Sequence, residues 1–148
     1  KKIINLIKNN FLLVYTNIKR DSSEVISSQK KRKNTIIKYY DKIKLLNKPM
    51  LNSLKNANIK NIGKMFNYHW KLKKKLSDKI TDNKIDNLYK DLHSKYKILG
   101  GKLIGAGGGG FFLVCVRNKK KICKMLDKNK INYINFEIEK KGSKVIEA

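Results

Sequence analysis

The sequence predicts an α+β domain, an antiparallel sheet of about four strands with helices packed on it. Three observations carry that prediction. Two short runs, Phe11-Leu12-Leu13-Val14-Tyr15 and Phe111-Phe112-Leu113-Val114-Cys115-Val116, are apolar on both faces of an extended chain, as strands covered on each side are. Between them lie helical stripes, the clearest being Ile85, Leu88, Tyr89, Leu92 and Tyr96 at i, i+3, i+4, i+7 and i+11. The order is strand, several helices, strand, glycine loop, strand, helix, strand, strand, which suits a largely antiparallel sheet.

Each element has a local reason. After the first strand, Asp21 followed by Glu24 forms an N-cap and capping box. The helix it opens carries Val25, Ile26, Ile36, Ile37, Tyr40 and Ile43, and is expected to end at Asn47-Lys48-Pro49, because the residue before proline avoids the α region. Leu51 and Leu54 mark a short helix. Asn58 caps a longer one lined by Ile62, Met65, Phe66, His69, Leu72 and Leu76, and Thr81-Asp82 starts the next. Residues 98–104 are extended, 105–110 form a loop, and 111–116 are the second two-faced strand. Residues 118–129 read as a short helix carrying Ile122, Cys123 and Leu126. Over 133–139 the pattern alternates, with Ile134, Phe136 and Ile138 on one face and Asn135, Glu137 and Glu139 on the other. A turn at Gly142-Ser143 leads to a last strand over 144–147. There is no internal repeat and Pro49 marks no linker, so residues 1–148 form one domain.

The charge is extreme, with 36 Lys and Arg against 11 Asp and Glu, a net +25. Such a balance ordinarily points to nucleic acid or an anionic membrane. Composition argues otherwise. Lys (33), Asn (17) and Ile (19), all with A/T-rich codons, fill 69 of the 148 positions. Arg, whose planar fork reads bases and clamps phosphates, is confined to Arg20, Arg32 and Arg117. The lysines are spread along the chain and read as solvated helix faces, with non-specific attraction to nucleic acid as a side effect. The longest apolar run, 111–116, is far below the roughly 20 residues of a spanning helix, so no membrane partner is expected. Cys115 and Cys123 are too few for a disulfide framework, and His69 and His93 have no second ligand at i+3 or i+4. The expectation is a reduced, cytoplasmic chain without a metal. A secretory signal fails on Asn5, Asn9 and Asn10. The chain opens on Lys1-Lys2-Ile3 without an initiator Met, and is expected to be a piece of a longer polypeptide.

Seven of the nine glycines lie between positions 100 and 110, in Gly100-Gly101-Lys102-Leu103-Ile104-Gly105-Ala106-Gly107-Gly108-Gly109-Gly110. Five in six positions is entropically costly unless the backbone needs positive φ or close approach, and a run of free N–H groups there can form a concave anion site. Gly105, Gly107 and Gly110 match the dinucleotide spacing, but that motif must lead into a helix and here a strand follows. The Walker pattern needs Lys and Ser/Thr where Phe111-Phe112 stand. What remains on spacing alone is an anion-approaching loop or a purely structural hairpin.

The stretch from Gly101 to Phe111 closely resembles the third conserved motif of the GHMP small-molecule kinases. Tyr15-Thr16-Asn17-Ile18-Lys19-Arg20, Trp70-Lys71-Leu72-Lys73 and Gly142-Ser143-Lys144-Val145-Ile146 resemble the bacterial D-glycero-D-manno-heptose 7-phosphate kinase branch, to which fucokinase-type sugar kinases are close. The resemblance runs from about Phe11 to Ile146. Asn17 stands where the branch usually has Gly, and Lys97-Ile98 where it tends to have Gly-Ala.

The resemblance implies the C-terminal, ferredoxin-like domain of an ATP-dependent sugar-phosphate kinase acting at an anomeric hydroxyl. ATP with Mg2+ would be held mainly by an N-terminal domain, whose phosphate loop and catalytic Asp are absent from these residues; the chain alone is expected to be inactive. No catalytic residue is assigned. Gly105, Ala106, Gly107, Gly108, Gly109 and Gly110 would lie near substrate or phosphate, with Arg20 and Lys102 as candidate anion contacts and Lys71 and Lys73 as weaker ones. Trp70, beside Phe66 and His69, reads as helix packing. Two other readings stay open, a basic nucleic-acid-binding module and a degenerate, non-catalytic domain of the same fold.

Overall fold

The computed structural model describes residues 1–19, 22–139 and 142. The expected cap at Asp21, the candidate Arg20 and the strand over 144–147 lie outside the described residues. Helix α1 (Lys2–Asn10) leads into β1 (Phe11–Tyr15), followed by α2 (Ser22–Lys31), α3 (Lys33–Lys44), α4 (Asn47–Lys55), α5 (Ile59–Lys73) and α6 (Asn83–Ser94). Then come β2 (Gly100–Leu103), β3 (Phe111–Cys115), α7 (Lys119–Lys128) and β4 (Tyr133–Ile134). The four strands lie in the order β2-β3-β1-β4, each neighbouring pair antiparallel. This is the split β-α-β-β-α-β arrangement, with five helices in the first crossover and α7 in the second.

The two-faced strands are covered on both sides. Leu12, Val14, Phe112 and Val114 are fully buried against Ile85 and Leu92 of α6 and Ile122 and Leu126 of α7. On the opposite face Phe11 and Cys115 pack with Ile62, Met65 and Phe66 of α5, joined by Leu6 and Ile7 of α1 and by Met50 and Leu54 of α4. Asn58 and Asp82 cap their helices as the sequence led one to expect, accepting from Asn61 N (3.1 Å) and Ile85 N (2.9 Å), and Asn118 does the same for α7, accepting from Lys121 N (2.9 Å). Asn17 takes φ +57 and holds the turn after β1, since Asn tolerates the left-handed region best after Gly.

Helix α5 lies directly on the backbone of β2, through a pair of glycines. A Cβ on Gly63 would meet the Leu99 carbonyl carbon at 2.7 Å, and one on Gly100 would overlap the Gly63 carbonyl. Asn67 of α5 then seals the β2 edge. Its Oδ1 accepts from Gly101 N (3.1 Å), its Nδ2 donates to the Leu99 carbonyl (3.3 Å), and the Tyr89 hydroxyl donates to Oδ1 at 2.6 Å. Sheet-edge groups that would otherwise lack partners are thereby satisfied.

Three expectations are corrected. The single helix expected to run to Pro49 is broken at Arg32 (φ −102°, ψ 12°) and ends at Lys44. Pro49 does not stop a helix; it sits in the first turn of α4, where the missing N–H has no intrahelical carbonyl to reach. The strand expected over 133–139 pairs with β1 only through Tyr133 and Ile134. Beyond them the chain lies along α1, with Phe136 in the same apolar cluster as Leu6 and Ile7, and Glu137 pairs with Lys8 at 2.7 Å. Helix α1, to which no element was assigned from sequence, supplies that competing surface.

Candidate functional site

The glycine segment joins β2 to β3, so the strand expected after it is present and no helix begins there. Gly105, Gly107, Gly108, Gly109 and Gly110 all have positive φ, from +72° to +155°. Two positions also explain the lack of side chains. A Cβ on Gly109 would overlap the Ile18 carbonyl oxygen, and one on Gly107 would touch Ile80 at 3.0 Å. The bend is thus pressed between the turn after β1 and the segment before α6.

Its backbone is held from both sides. Gly108 N donates to the Ile80 carbonyl (2.7 Å) and Gly110 N to the Ile18 carbonyl (3.0 Å). The Gly110 carbonyl in turn accepts from Thr16 N (2.8 Å) and Thr16 Oγ1 (2.9 Å). At the β2 end, Lys73 Nζ donates to the carbonyls of Leu103 (2.9 Å) and Gly105 (2.6 Å). Two of the six amides of the expected cradle, those of Gly108 and Gly110, are therefore spent within the chain. Gly105, Ala106, Gly107 and Gly109 remain along an open cleft of about 570 Å³ that Tyr15, Ile18, Lys19 and Phe111 complete.

A second cleft of about 490 Å³ adjoins the first and shares Ile104, Gly105 and Ala106 with it. Its walls include Ile26 and Gln29 of α2, Tyr40 and Ile43 of α3, and the basic trio His69, Lys73 and Lys102. Lys73 is only 8% exposed. Burial, and then the neighbouring Lys102, pull its ammonium down to about 8. Burial, then Lys102 and Lys73, hold the His69 imidazole down at about 4. Burial also lowers Lys102, whose ammonium stands 5.8 Å from the Phe66 ring centre.

The sequence-derived site residues thus divide. Lys102, Gly105 and Ala106 come together at the second cleft, whereas Gly107, Gly109 and Gly110 face the first. Gly108 is buried, its amide committed to Ile80. Lys71 is exposed on the far side of the stripe that carries Lys73 inward. Trp70 is 1% exposed and meets Phe112 edge-on at 5.4 Å, as its neighbours implied. Sequence reasoning named Lys73 only as a weaker anion contact beside Lys71, and did not name His69 as a site residue. The available signal was that the apolar stripe of α5 runs through Phe66 and Trp70 onto Lys73, at the spacing of one helix face.

Among the described residues no group of three or more His, Cys, Asp or Glu side chains comes together as a metal site. The side chains beside the bend are cationic, which does not suit Mg2+ with its preference for carboxylates and phosphate oxygens. Cys115 and Cys123 are both free thiols. No helix among the described residues is long and apolar enough to cross a membrane.

The fold recurs in known proteins. The chain is 29% identical to the mevalonate kinase of Methanococcus jannaschii, with a TM-score of 0.67, covering 95% of this chain and 43% of that one. It superimposes on the mevalonate kinase of L. major with a TM-score of 0.70 at 18% identity, covering 81% of this chain and 38% of that one. Over 124 residues it is 26% identical to the bifunctional fucokinase/GDP-fucose pyrophosphorylase of Arabidopsis thaliana, covering 81% of this chain but 12% of that protein. The chain therefore spans less than half the length of each of these relatives. Residues 50–135, from α4 through the glycine bend to β4, match the family described as GHMP kinases C terminal, and the chain belongs to that family.

Proposed function

We propose that these residues are the C-terminal domain of a cytoplasmic, ATP-dependent sugar-phosphate kinase. Its acceptor is proposed to be D-glycero-D-manno-heptose 7-phosphate, phosphorylated at the anomeric hydroxyl. The observation that carries this reading is the bend itself: a concave stretch bare of side chains, held in shape by the chain's own hydrogen bonds, between an open cleft and a basic one. In the transfer, the bond from the γ-phosphorus to the ADP oxygen breaks and one to the anomeric oxygen forms. The hydroxyl proton leaves to a base that is not assigned to this chain. Such a reaction is dominated by positioning and charge stabilisation. The part proposed for residues 105–110 is positioning, a wall that lets phosphate and sugar approach main chain closely. Mg2+ and ATP are assigned mainly to an N-terminal domain outside these residues, consistent with the cationic lining here.

The branch assignment rests on the sequences Tyr15 to Arg20, Trp70 to Lys73 and Gly142 to Ile146, which resemble the heptose kinases. The test is ADP release by the polypeptide of the full reading frame, offered heptose 7-phosphate, mevalonate, galactose and fucose in turn. Turnover with the heptose phosphate, and none from residues 1–148 alone, is the expected result. Turnover only with another acceptor overturns the substrate, and no turnover with any acceptor overturns the kinase reading.

A further inference from the structure

The basic cleft beside the bend has no internal reason to be basic. Three groups that prefer water or an anion, Lys73, Lys102 and His69, converge there, and no Asp or Glu is among the described residues that line it. Elsewhere lysines do find acids: Lys8, Lys44, Lys74 and Lys95 each pair with a carboxylate. Lys73 has used two of its three N–H donors on the Leu103 and Gly105 carbonyls, which leaves one. His69 Nδ1 is sealed from solvent with no hydrogen-bond partner among the described residues. Burying like charges together without a counter-charge is costly. In a chain with 33 lysines, most of them exposed, nothing in composition forces two into one cleft.

We infer that the cleft lined by His69, Lys73 and Lys102 is the subsite for a phosphomonoester dianion carried by the acceptor, whose reacting hydroxyl lies in the adjoining cleft. Two ammonium groups and an imidazole match the charge of a dianion better than that of a monocarboxylate. The volume, about 490 Å³, lies in the range of small-molecule pockets. At its far wall the Tyr40 hydroxyl donates to Gln29 Oε1 at 2.9 Å, a polar pair suited to sugar hydroxyls. Because Gly105 and Ala106 line both clefts, an acceptor anchored by its phosphate here reaches across the bend into the other. The identity of the acceptor rests on the kinase reading; the anion site itself rests on the side chains.

The test is an NMR titration of the isotope-labelled 148-residue chain at about 0.15 M salt, where surface attraction is damped. The probes are mannose 6-phosphate, mannose, acetate and ATP. Mannose 6-phosphate is expected to give saturable shifts at the His69 ring and the Gly105 and Ala106 amides, and to raise the His69 pKa. Mannose and acetate should leave these signals in place. Lys102→Met, half-buried and able to keep its stem over Phe66, should weaken binding by about tenfold or more, and Lys73→Met likewise. Lys120→Met, on the exposed face of α7, should change nothing. Should Lys73→Met fail to fold, as judged by the near-ultraviolet signal of Trp70, Lys102→Met decides alone. Shifts that never saturate, or that persist in Lys102→Met, overturn the site. Equal shifts from ATP or acetate overturn its assignment to an acceptor phosphate. The kinase reading stands or falls separately, on ADP release.

Discussion

Lys97 has φ +54° in the turn between α6 and β2, in the left-handed conformation that Gly adopts most readily. Bonds on either side of it close the turn: Tyr96 N donates to the Asp91 carbonyl (3.3 Å) and Ile98 N to that of Leu92 (3.1 Å). The departure from the resembling branch at this position is thus absorbed by backbone strain at a single residue. His69 carries the sharper consequence. Its pKa is about 4 in the folded chain against 6.5 ordinarily, so between those values the unfolded chain binds the proton and the folded one does not. Unfolding free energy is therefore expected to fall as pH drops from 6.5 to 4. Burial lowers His93 in the same direction. Denaturant titrations across that range should show a shallower slope in His69→Gln, with the part due to His93 retained. Asn17 was legible from sequence because one residue type fits its conformation. Lys73 could be named only on a par with the exposed Lys71, because one lysine among so many has no distinguishing chemistry until its helix face is known.

At the level of elements, the contact between α5 and β2 depends on missing side chains. Gly63→Ala would drive a methyl into the Leu99 carbonyl, a backbone group that side-chain rotation cannot clear. Destabilisation by about 1–3 kcal/mol is expected, measured by chemical unfolding. The long helices α5 and α6 and the central strands were legible because periodicity and caps agree with their packing. Pro49 misled because proline is tolerated in a first turn as readily as after a last one, and only the break after Lys44 decides which. The strand over 133–139 misled for another reason. Alternation says that a segment can pair, but α1 holds the apolar surface and the lysine that Phe136 and Glu137 prefer.

For the whole molecule, net charge of +25 means that folding gathers like charges. The ion pairs of Lys8, Lys44 and Lys95 are exposed, and such pairs contribute little. Added salt should therefore raise the melting temperature at neutral pH, because screening weakens self-repulsion more than it weakens those pairs. A melting temperature that falls with sodium chloride would contradict this. Overall architecture was legible from the order of elements together with the glycine motif. The division of that motif between two clefts was not, since it depends on Ile18 and Ile80, which are distant from it in sequence and meet it only in the fold.

Glycine-rich segments are commonly taken for slack hinges, yet this one is pinned at Leu103, Gly105, Gly108 and Gly110 by an ammonium and by carbonyls from two other segments. Its entropy was surrendered when the chain folded, so an arriving molecule finds a rim already set and loses little affinity to ordering it. Anything that loosens the ammonium clasp would let that rim slacken without touching a single glycine.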